Sequence, residues 1–158
     1  MTQLQQKWIL WAHLPKETSW SIDSYIEVCH LSTAEDIVAV FKILPHELIQ
    51  NCMLFLMKEG VKPMWEDPHN CNGGSFSYKI SNKFVGDVMK LLAYHVCGTS
   101  LVTGNNEFND DITGITISPK KQFCVMKVWM HSCRFQNPRL IANITNLPQQ
   151  GCLFKKHV

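Results

Sequence analysis

The sequence predicts an α+β fold in which helices cover one face of an antiparallel sheet. Most β-favouring segments follow one another along the chain, which is typical of antiparallel sheets. Apolar residues at helical spacing occur in only a few stretches between them. The 158 residues are 46% hydrophobic and 18% charged. They contain no repeat or linker, so we expect a single domain over residues 1–158.

The first half of the chain contains three predicted strands and one predicted helix. The strands are rich in β-favouring residues and comprise Lys7 to His13, Ser24 to Leu31 and Asn51 to Lys58. The helix begins at Ser32 or Thr33, because Ser32 and Glu35 have the spacing of a capping box. Its apolar stripe ends before Pro45, which a helix interior does not tolerate.

The second half of the chain adds four predicted strands, a polar loop and two helices. The strands comprise Ser75 to Ile80, Ile112 to Ile117, Phe123 to His131 and Cys152 to Lys156, and the middle two form a hairpin. The loop runs from Thr103 to Asp110. One amphipathic helix extends from Phe84 to Gly98, and a short third helix extends from Pro138 to Ile144.

Composition and cysteine spacing exclude several function classes. A net charge of +2 is too small for broad binding to duplex nucleic acid. The seven cysteines include no Cys-x-x-Cys motif, so we expect reduced thiols and neither a metal site nor a cofactor. There is no signal peptide and no apolar run of membrane-spanning length, so we expect a cytoplasmic protein with a nuclear pool as an alternative, and no membrane contact.

One rigid loop presents an aromatic ring beside a carboxylate. Pro63 and Pro68 bracket Trp65 and Glu66, and Gly73 and Gly74 follow. Proline fixes φ and glycine accepts positive φ, so the segment forms a constrained turn. The π-face of Trp65 and the acceptor oxygens of Glu66 suit a flat, electron-poor ring with a donor edge. A positively charged purine has this chemistry.

Several motifs occur in an order that matches a known family. They are Leu4-Gln5-Gln6-Lys7-Trp8, Leu10-Trp11, Thr18-Ser19-Trp20, Ala34-Glu35-Asp36, Gly60 to Asp67, Gly73-Gly74, Asp110 to Gly114 and Val128-Trp129. With these motifs, the chain resembles the eukaryotic translation initiation factor 4E family of mRNA cap-binding proteins. The resemblance covers Leu4 to Cys133 and, more faintly, Leu147-Pro148. It implies a curved antiparallel sheet with three helices on its convex face and the ligand in the concave face.

The resemblance also implies roles for individual residues. Trp20 and Trp65 would sandwich 7-methylguanine, whose positive charge adds a cation–π contribution to stacking. Glu66 would accept hydrogen bonds from the guanine edge, and Trp129 would lie near the methyl group. Lys120 occupies a position where the family binds phosphate, and Lys121 is its neighbour. The family acts as a monomer and implies no catalysis.

Three departures from the family pattern bear on function. Ser75 and Val125 stand where basic phosphate contacts are usual, so we expect phosphate binding to be weaker or supplied by other residues. The third helix and the loop before the last strand are short, and an insertion lies near Val102 to Asn106. These features indicate a short, divergent member, such as a viral or protist one.

The third departure lies on the surface that binds scaffold or inhibitory proteins in the family. The partner-binding residues there would be Ala34, Glu35, Ile37 and Val38, and Val38 replaces the family's anchoring Trp. Losing such an anchor costs about 2 kcal/mol or more. We therefore expect weak binding of an ordinary scaffold helix and a divergent partner instead.

The sequence leaves several functions open. The first is cap binding that recruits mRNA for translation initiation. A cap-binding repressor or decoy is the alternative that Val38 favours, and a scaffold that has lost cap binding is another. An enzyme would need clustered carboxylates, but Glu107, Asp110 and Asp111 lie on a loop apart from Glu66, so we expect no enzyme.

Overall fold

The computed structural model describes residues 1–158 and contains one seven-stranded antiparallel sheet. Its strands are β1 (Gln3–His13), β2 (Ile26–Thr33), β3 (Met53–Lys58), β4 (Gly74–Ser81), β5 (Ile112–Pro119), β6 (Phe123–Met130) and β7 (Leu153–Lys156). Their order across the sheet is β2-β1-β3-β5-β6-β4-β7. The predicted α+β class and the β5–β6 hairpin are confirmed.

Four α-helices accompany the sheet, together with three short 3-10 segments. The helices are α1 (Ala34–Ile43), α2 (His46–Asn51), α3 (Val85–Cys97) and α4 (Asn106–Asp111), and the 3-10 segments are Ile22–Ser24, Asn82–Phe84 and Pro138–Leu140. Apolar residues of all four helices share one core with the strands. None of the helices combines the length and the apolar character that a membrane crossing requires.

The helices differ from the sequence prediction in three places. Pro45 follows α1 and is the N-cap of α2, a helix in a segment to which the prediction assigned no element apart from Asn51. The predicted loop before β5 contains α4, which Asn105 caps by accepting from the N–H of Phe108. The helix predicted from Pro138 is a single 3-10 turn.

The capping box of α1 lies one residue later than predicted. Thr33 accepts from the N–H of Asp36 at 3.1 Å, and Asp36 accepts from the N–H of Thr33 at 3.1 Å. Ser32 and Glu35 have the same sequence spacing, but Ser32 precedes the N-cap, and its N–H donates to the carboxylate of Asp36 at 3.0 Å. The prediction failed because two overlapping pairs satisfy one motif.

The two faces of the sheet carry different side chains. Along β6, Cys124, Met126 and Val128 are fully buried against the helices. The alternating residues Lys127 and Trp129 point to the opposite side, because successive side chains in a strand alternate. We call this second side the open face. The antiparallel register extends it across the sheet, so that neighbouring strands add their own alternate residues to it.

Candidate functional site

A cleft on the open face brings together four of the predicted site residues. Trp20, Trp65, Glu66 and Trp129 line it, together with Tyr25, Met53, Phe55, Pro63 and Met64, and its volume is about 260 Å³. Trp20 and Trp65 are 52% and 48% exposed, whereas Trp129 is only 8% exposed. Two accessible indoles and one buried indole therefore surround a space of the size of a flat ring.

The loop that carries Trp65 and Glu66 is held by the carboxylate of Asp67. Its Oδ2 accepts from the N–H of Lys62 at 2.9 Å, and its Oδ1 accepts from the N–H of His69 at 2.7 Å. Burial would raise the pKa of Asp67, but these N–H groups outweigh it and lower the pKa below its ordinary value. The loop is thus closed by a buried, charged acceptor.

Asn70 ties the same loop to the sheet. Its side-chain amide donates to the carbonyl of Met64 at 2.9 Å, and its Oδ1 accepts from the hydroxyl of Thr113 at 2.6 Å. The carbonyl of Asn70 is bonded to Nδ1 of His157 at 2.7 Å. Asn70 is completely buried. A buried polar side chain needs hydrogen-bond partners. Those of Asn70 are Met64 in the loop and Thr113 in β5, so the bonds that satisfy Asn70 also attach the loop to the sheet.

Trp20 is supported from behind by an aromatic residue that the sequence analysis did not identify as part of the site. The rings of Trp20 and His13 are stacked with centroids 3.8 Å apart and planes at 1°. Nε2 of His13 is bonded to the carbonyl of Ser19 at 2.8 Å, directly before Trp20. Tyr25 meets Trp20 edge-on at 6.3 Å. One face of the Trp20 indole is therefore occupied, which leaves the other for a ligand.

Glu66 provides an exposed carboxylate at the rim of this cleft. Tyr25 lines the same cleft. Burial raises the pKa of Tyr25, and the negative charge of Glu66 raises it further. An ionised carboxylate accepts hydrogen bonds only. The ligand edge at this position must therefore carry donors, as guanine does through its imino and amino groups.

Trp129 is fixed at the inner wall of the cleft. Its Nε1 donates to the hydroxyl of Thr116 at 3.2 Å. The His157 ring lies 5.0 Å from the Trp129 ring at an angle of 57°. The N–H of His157 also donates to the carbonyl of Gly73 at 3.0 Å. The end of the described chain therefore connects the Trp65 loop to the Trp129 wall.

The predicted phosphate-binding lysines lie outside this cleft. Lys120 and Lys121 are exposed in the β5–β6 turn. Lys120 lines a second cleft of about 270 Å³, which it shares with Trp20 and His13. The structure does not place Lys120 or Lys121 against Trp65 or Trp129. Two other cations are neighbours of Trp129 by strand register.

Lys127 and Lys155 lie on the open face beside Trp129. Lys127 is two residues before Trp129 on β6, and Ser75 is paired with both Trp129 and Lys155. Burial lowers the pKa of Lys127, and the charges of Lys120 and Lys155 lower it further. None of the three ion pairs in the structure includes these lysines. Cations gathered without acidic partners form a site for an anion.

The sequence contained a signal for Lys127 but not for Lys155. Lys127 and Trp129 are two residues apart in a predicted strand, and this spacing places them on one face. Lys155 joins them only through the pairing of β7 with β4, which the sequence does not reveal. Ser75 and Val125 occupy the two strand positions at which the resemblance to the family led us to expect basic residues.

Two of the carboxylates considered for catalysis have structural partners away from the cleft. Glu107 pairs with Arg134 at 2.6 Å. Asp111 accepts from the hydroxyl and the N–H of Ser132 at 3.0 to 3.2 Å. Neither acid lines the cleft that contains Glu66.

The predicted partner-binding residues lie on the helix-covered side. An apolar groove of about 130 Å³ is lined by Ala34, Ile37 and Val38 together with Leu4, Tyr94, Cys97 and Gly98. Val38 is 48% exposed, whereas Ile37 is buried in the core. Glu35 is bound within the chain, because its carboxylate accepts from the N–H of Thr2 at 3.0 and 3.2 Å.

Comparison with known sequences gives a consistent family match. The family model described as eukaryotic initiation factor 4E matches residues 3–156. A Triticum aestivum protein, eukaryotic translation initiation factor NCBP, is 30% identical over 131 residues, which cover 80% of this chain and 54% of that protein. Initiation factor 4E-2 of Schizosaccharomyces pombe is 27% identical over 135 residues, covering 82% and 54%. The chain spans about half the length of these curated relatives.

Solved structures share the fold. The crystal structure of a schistosome eIF4E in complex with m7GpppG and 4E-BP superposes with a TM-score of 0.75 at 23% identity. The match covers 84% of this chain and 74% of the schistosome chain. At this level of identity the similarity demonstrates the fold alone.

We expect Asp67→Asn to lower the free energy of unfolding by about 1–3 kcal/mol at pH 7, since a buried acceptor of two N–H groups is weakened. The measurement is urea denaturation, with Asp23→Asn, an exposed carboxylate in the Trp20 loop, as the control. Because the pKa of Asp67 is lowered, its contribution is present above its ordinary pKa of about 3.9 and is lost as the pH falls. A difference between wild type and variant that does not shrink toward pH 3 would contradict this role.

Proposed function

The chain belongs to the eukaryotic initiation factor 4E family, whose members are translation initiation factors and not enzymes, and we propose that it binds the 7-methylguanosine cap of mRNA. The observation that supports this most directly is the cleft in which two half-exposed indoles, Trp20 and Trp65, lie beside Glu66. Solved structures of similar fold carry m7GpppG or an m7G cap. In our proposal the chain does so as a monomer in the cytoplasm.

Each contact in the proposed complex has a distinct task. Trp20, supported by His13, and Trp65 stack on the two faces of the methylated base, each stack contributing about 1–3 kcal/mol. The positive charge of the methylated ring strengthens both stacks. Glu66 accepts from the donor edge of guanine, and adenine cannot provide the same pair of donors. Trp129 closes the inner wall beside the methyl group.

In this proposal Lys127 and Lys155 contact the cap phosphates nearest the base, and Lys120 and Lys121 contact the triphosphate further from it. The first two lie beside Trp129 on the open face, and Lys127 is half-buried without an acidic partner. An anion there would offset the cost of burying the Lys127 charge. This arrangement replaces the usual basic positions, which are Ser75 and Val125 in this chain.

A cap-binding repressor is the second candidate function, and Val38 is the observation that favours it. The apolar groove around Val38 is small, at about 130 Å³, and contains no large aromatic anchor from α1. Structures of similar fold are complexes with the 4E-binding protein Mextli or with 4E-BP. A chain that binds caps but binds scaffold helices weakly would withhold mRNA from initiation.

Cap binding is tested by tryptophan fluorescence during titration with 7-methylguanosine triphosphate and with GTP. We expect strong quenching by the methylated nucleotide only, because the charged base stacks between Trp20 and Trp65. Trp20→Ala or Trp65→Ala should each weaken binding by about tenfold or more. Glu66→Gln should reduce the affinity for the guanine edge, whereas the matched control Glu59→Gln should not. Equal quenching by both nucleotides would leave the scaffold alternative.

The phosphate assignment predicts that Lys127→Ala and Lys155→Ala each weaken 7-methylguanosine triphosphate binding by about tenfold, the cost of one charge-assisted contact. Binding of 7-methylguanosine, which has no phosphate, should change little. Lys156→Ala is the control, since Lys156 is the neighbour of Lys155 on β7 and points to the other side. Equal losses for the nucleoside and the triphosphate would refute the assignment.

For the partner surface, we expect Val38→Trp to strengthen binding of an ordinary 4E-binding peptide by about 2 kcal/mol, roughly 30-fold, by restoring an aromatic anchor. Fluorescence polarisation with a labelled peptide measures this change. Ile43→Trp, at an exposed position of the same helix, is the control. Tight binding of the peptide by the wild-type chain would argue against the repressor.

A further inference from the structure

A second groove lies on the sheet beyond the proposed phosphate site. Its volume is about 520 Å³, and polar residues dominate its lining: Lys79, Ser81, Asn143, Asn146 and Gln149, with Phe84. It exists because β7 pairs only with the first half of β4, from Gly74 to Ser77. The second half of β4 therefore borders the segment 143–149 instead of another strand.

Cations and aromatic rings lie at the groove and beside it: Lys79 and Phe84 line it, and each contacts a neighbour, Phe123 or Lys83, next to it. The Lys79 ammonium lies 4.4 Å from the ring centroid of Phe123. The Lys83 ammonium lies 4.8 Å from the ring centroid of Phe84. No acidic residue lines the groove, and neither lysine belongs to an ion pair of the structure. The surface is therefore complementary to a polyanion that carries flat rings.

The strand register connects this groove to the cap cleft. On the open face, Trp129 is paired with Ser75, Lys127 with Ser77, and Val125 with Lys79. Phe123 lies six residues before Trp129 on β6, a distance of about 20 Å along the strand. An extended ligand that leaves the cleft at Trp129 and follows β6 would pass Lys127 and Lys155 first, and then Lys79 and Phe123.

We propose that the groove beside Lys79 and Phe123 binds the single-stranded RNA nucleotides that follow the cap. This inference rests on the proposed cap binding and extends it. Lys79 and Lys83 contact phosphates, and the exposed parts of Phe84 and Phe123 stack with bases, as in other single-strand sites. The amides of Asn143 and Gln149 supply both donors and acceptors for base edges or 2′-hydroxyls.

The test compares 7-methylguanosine triphosphate with a capped, unstructured ten-nucleotide RNA in fluorescence titrations of the full chain. We expect wild type to bind the capped RNA about tenfold tighter than the nucleotide at low salt. Lys79→Ala combined with Lys83→Ala should remove this advantage and leave the nucleotide affinity within about twofold. The slope of log affinity against log salt for the capped RNA should fall by about 0.7 per lysine.

Two control variants separate the groove from general charge and from folding. Lys42→Ala removes an exposed lysine from α1, on the opposite side of the sheet, and should leave the capped RNA affinity unchanged. Phe123→Leu keeps the apolar volume but removes the π-face, so it should weaken capped RNA alone. An affinity for capped RNA no higher than for the nucleotide, or a loss shared equally by Lys42→Ala, overturns the proposal.

Failure of the cap site itself is recognised separately. If 7-methylguanosine triphosphate does not bind, the proposed function fails, and an uncapped RNA of the same sequence then tests the groove. Binding of the uncapped RNA that the double lysine variant weakens supports the groove. Uncapped RNA binding that is unaffected by the variant overturns it and leaves a protein segment as the occupant.

Discussion

The loop that carries Trp65 depends on two buried polar side chains, Asp67 and Asn70. The segment between β3 and β4 has no strand or helix, so ordering it carries a large conformational entropy cost. Asp67 accepts a hydrogen bond from the N–H of Lys62 within the loop. Asn70 bonds the loop to Thr113 through its side chain and to His157 through its carbonyl. Asp67 and Asn70 are the buried residues that hold the loop, so Trp65 and Glu66 can remain exposed. The aromatic ring and the carboxylate are thus held in place without being part of the core.

The sheet separates stability from binding by its two faces. Alternate residues of β4 and β6 that contact the helices are apolar and buried, whereas those on the open face are lysines and serines together with Trp129, Val125 and Phe123. Burial lowers the pKa of Lys127, and the charges of Lys120 and Lys155 lower it further. The charged form of Lys127 is therefore disfavoured in the empty site, and under the proposed function a bound phosphate would offset this cost.

Much of the site was predictable because its residues are adjacent in the sequence or carry distinctive chemistry. The Pro63–Pro68 segment predicted the loop, and its aromatic and acidic residues predicted the ligand class that we propose. His13 was not predictable, because its stack on Trp20 requires the bend of residues 14–19. Lys155 required the pairing of β7 with β4, and α4 was hidden because Phe108 is its only large apolar residue. Contacts that depend on strand pairing or on the path of a loop leave no local pattern in the amino-acid sequence.

The cleft that contains Trp20, Trp65 and Glu66 and the groove around Val38 lie on opposite faces of one sheet, and this separation lets them change independently. Residues of the cleft come from the open face and two loops, whereas Val38 belongs to a helix on the covered face. Val38 does not line the cleft that contains Trp20, Trp65 and Glu66. Under the proposed function, cap capture and scaffold recruitment would therefore use separate surfaces. A chain can keep the first while the second diverges, which is the condition that a repressor requires.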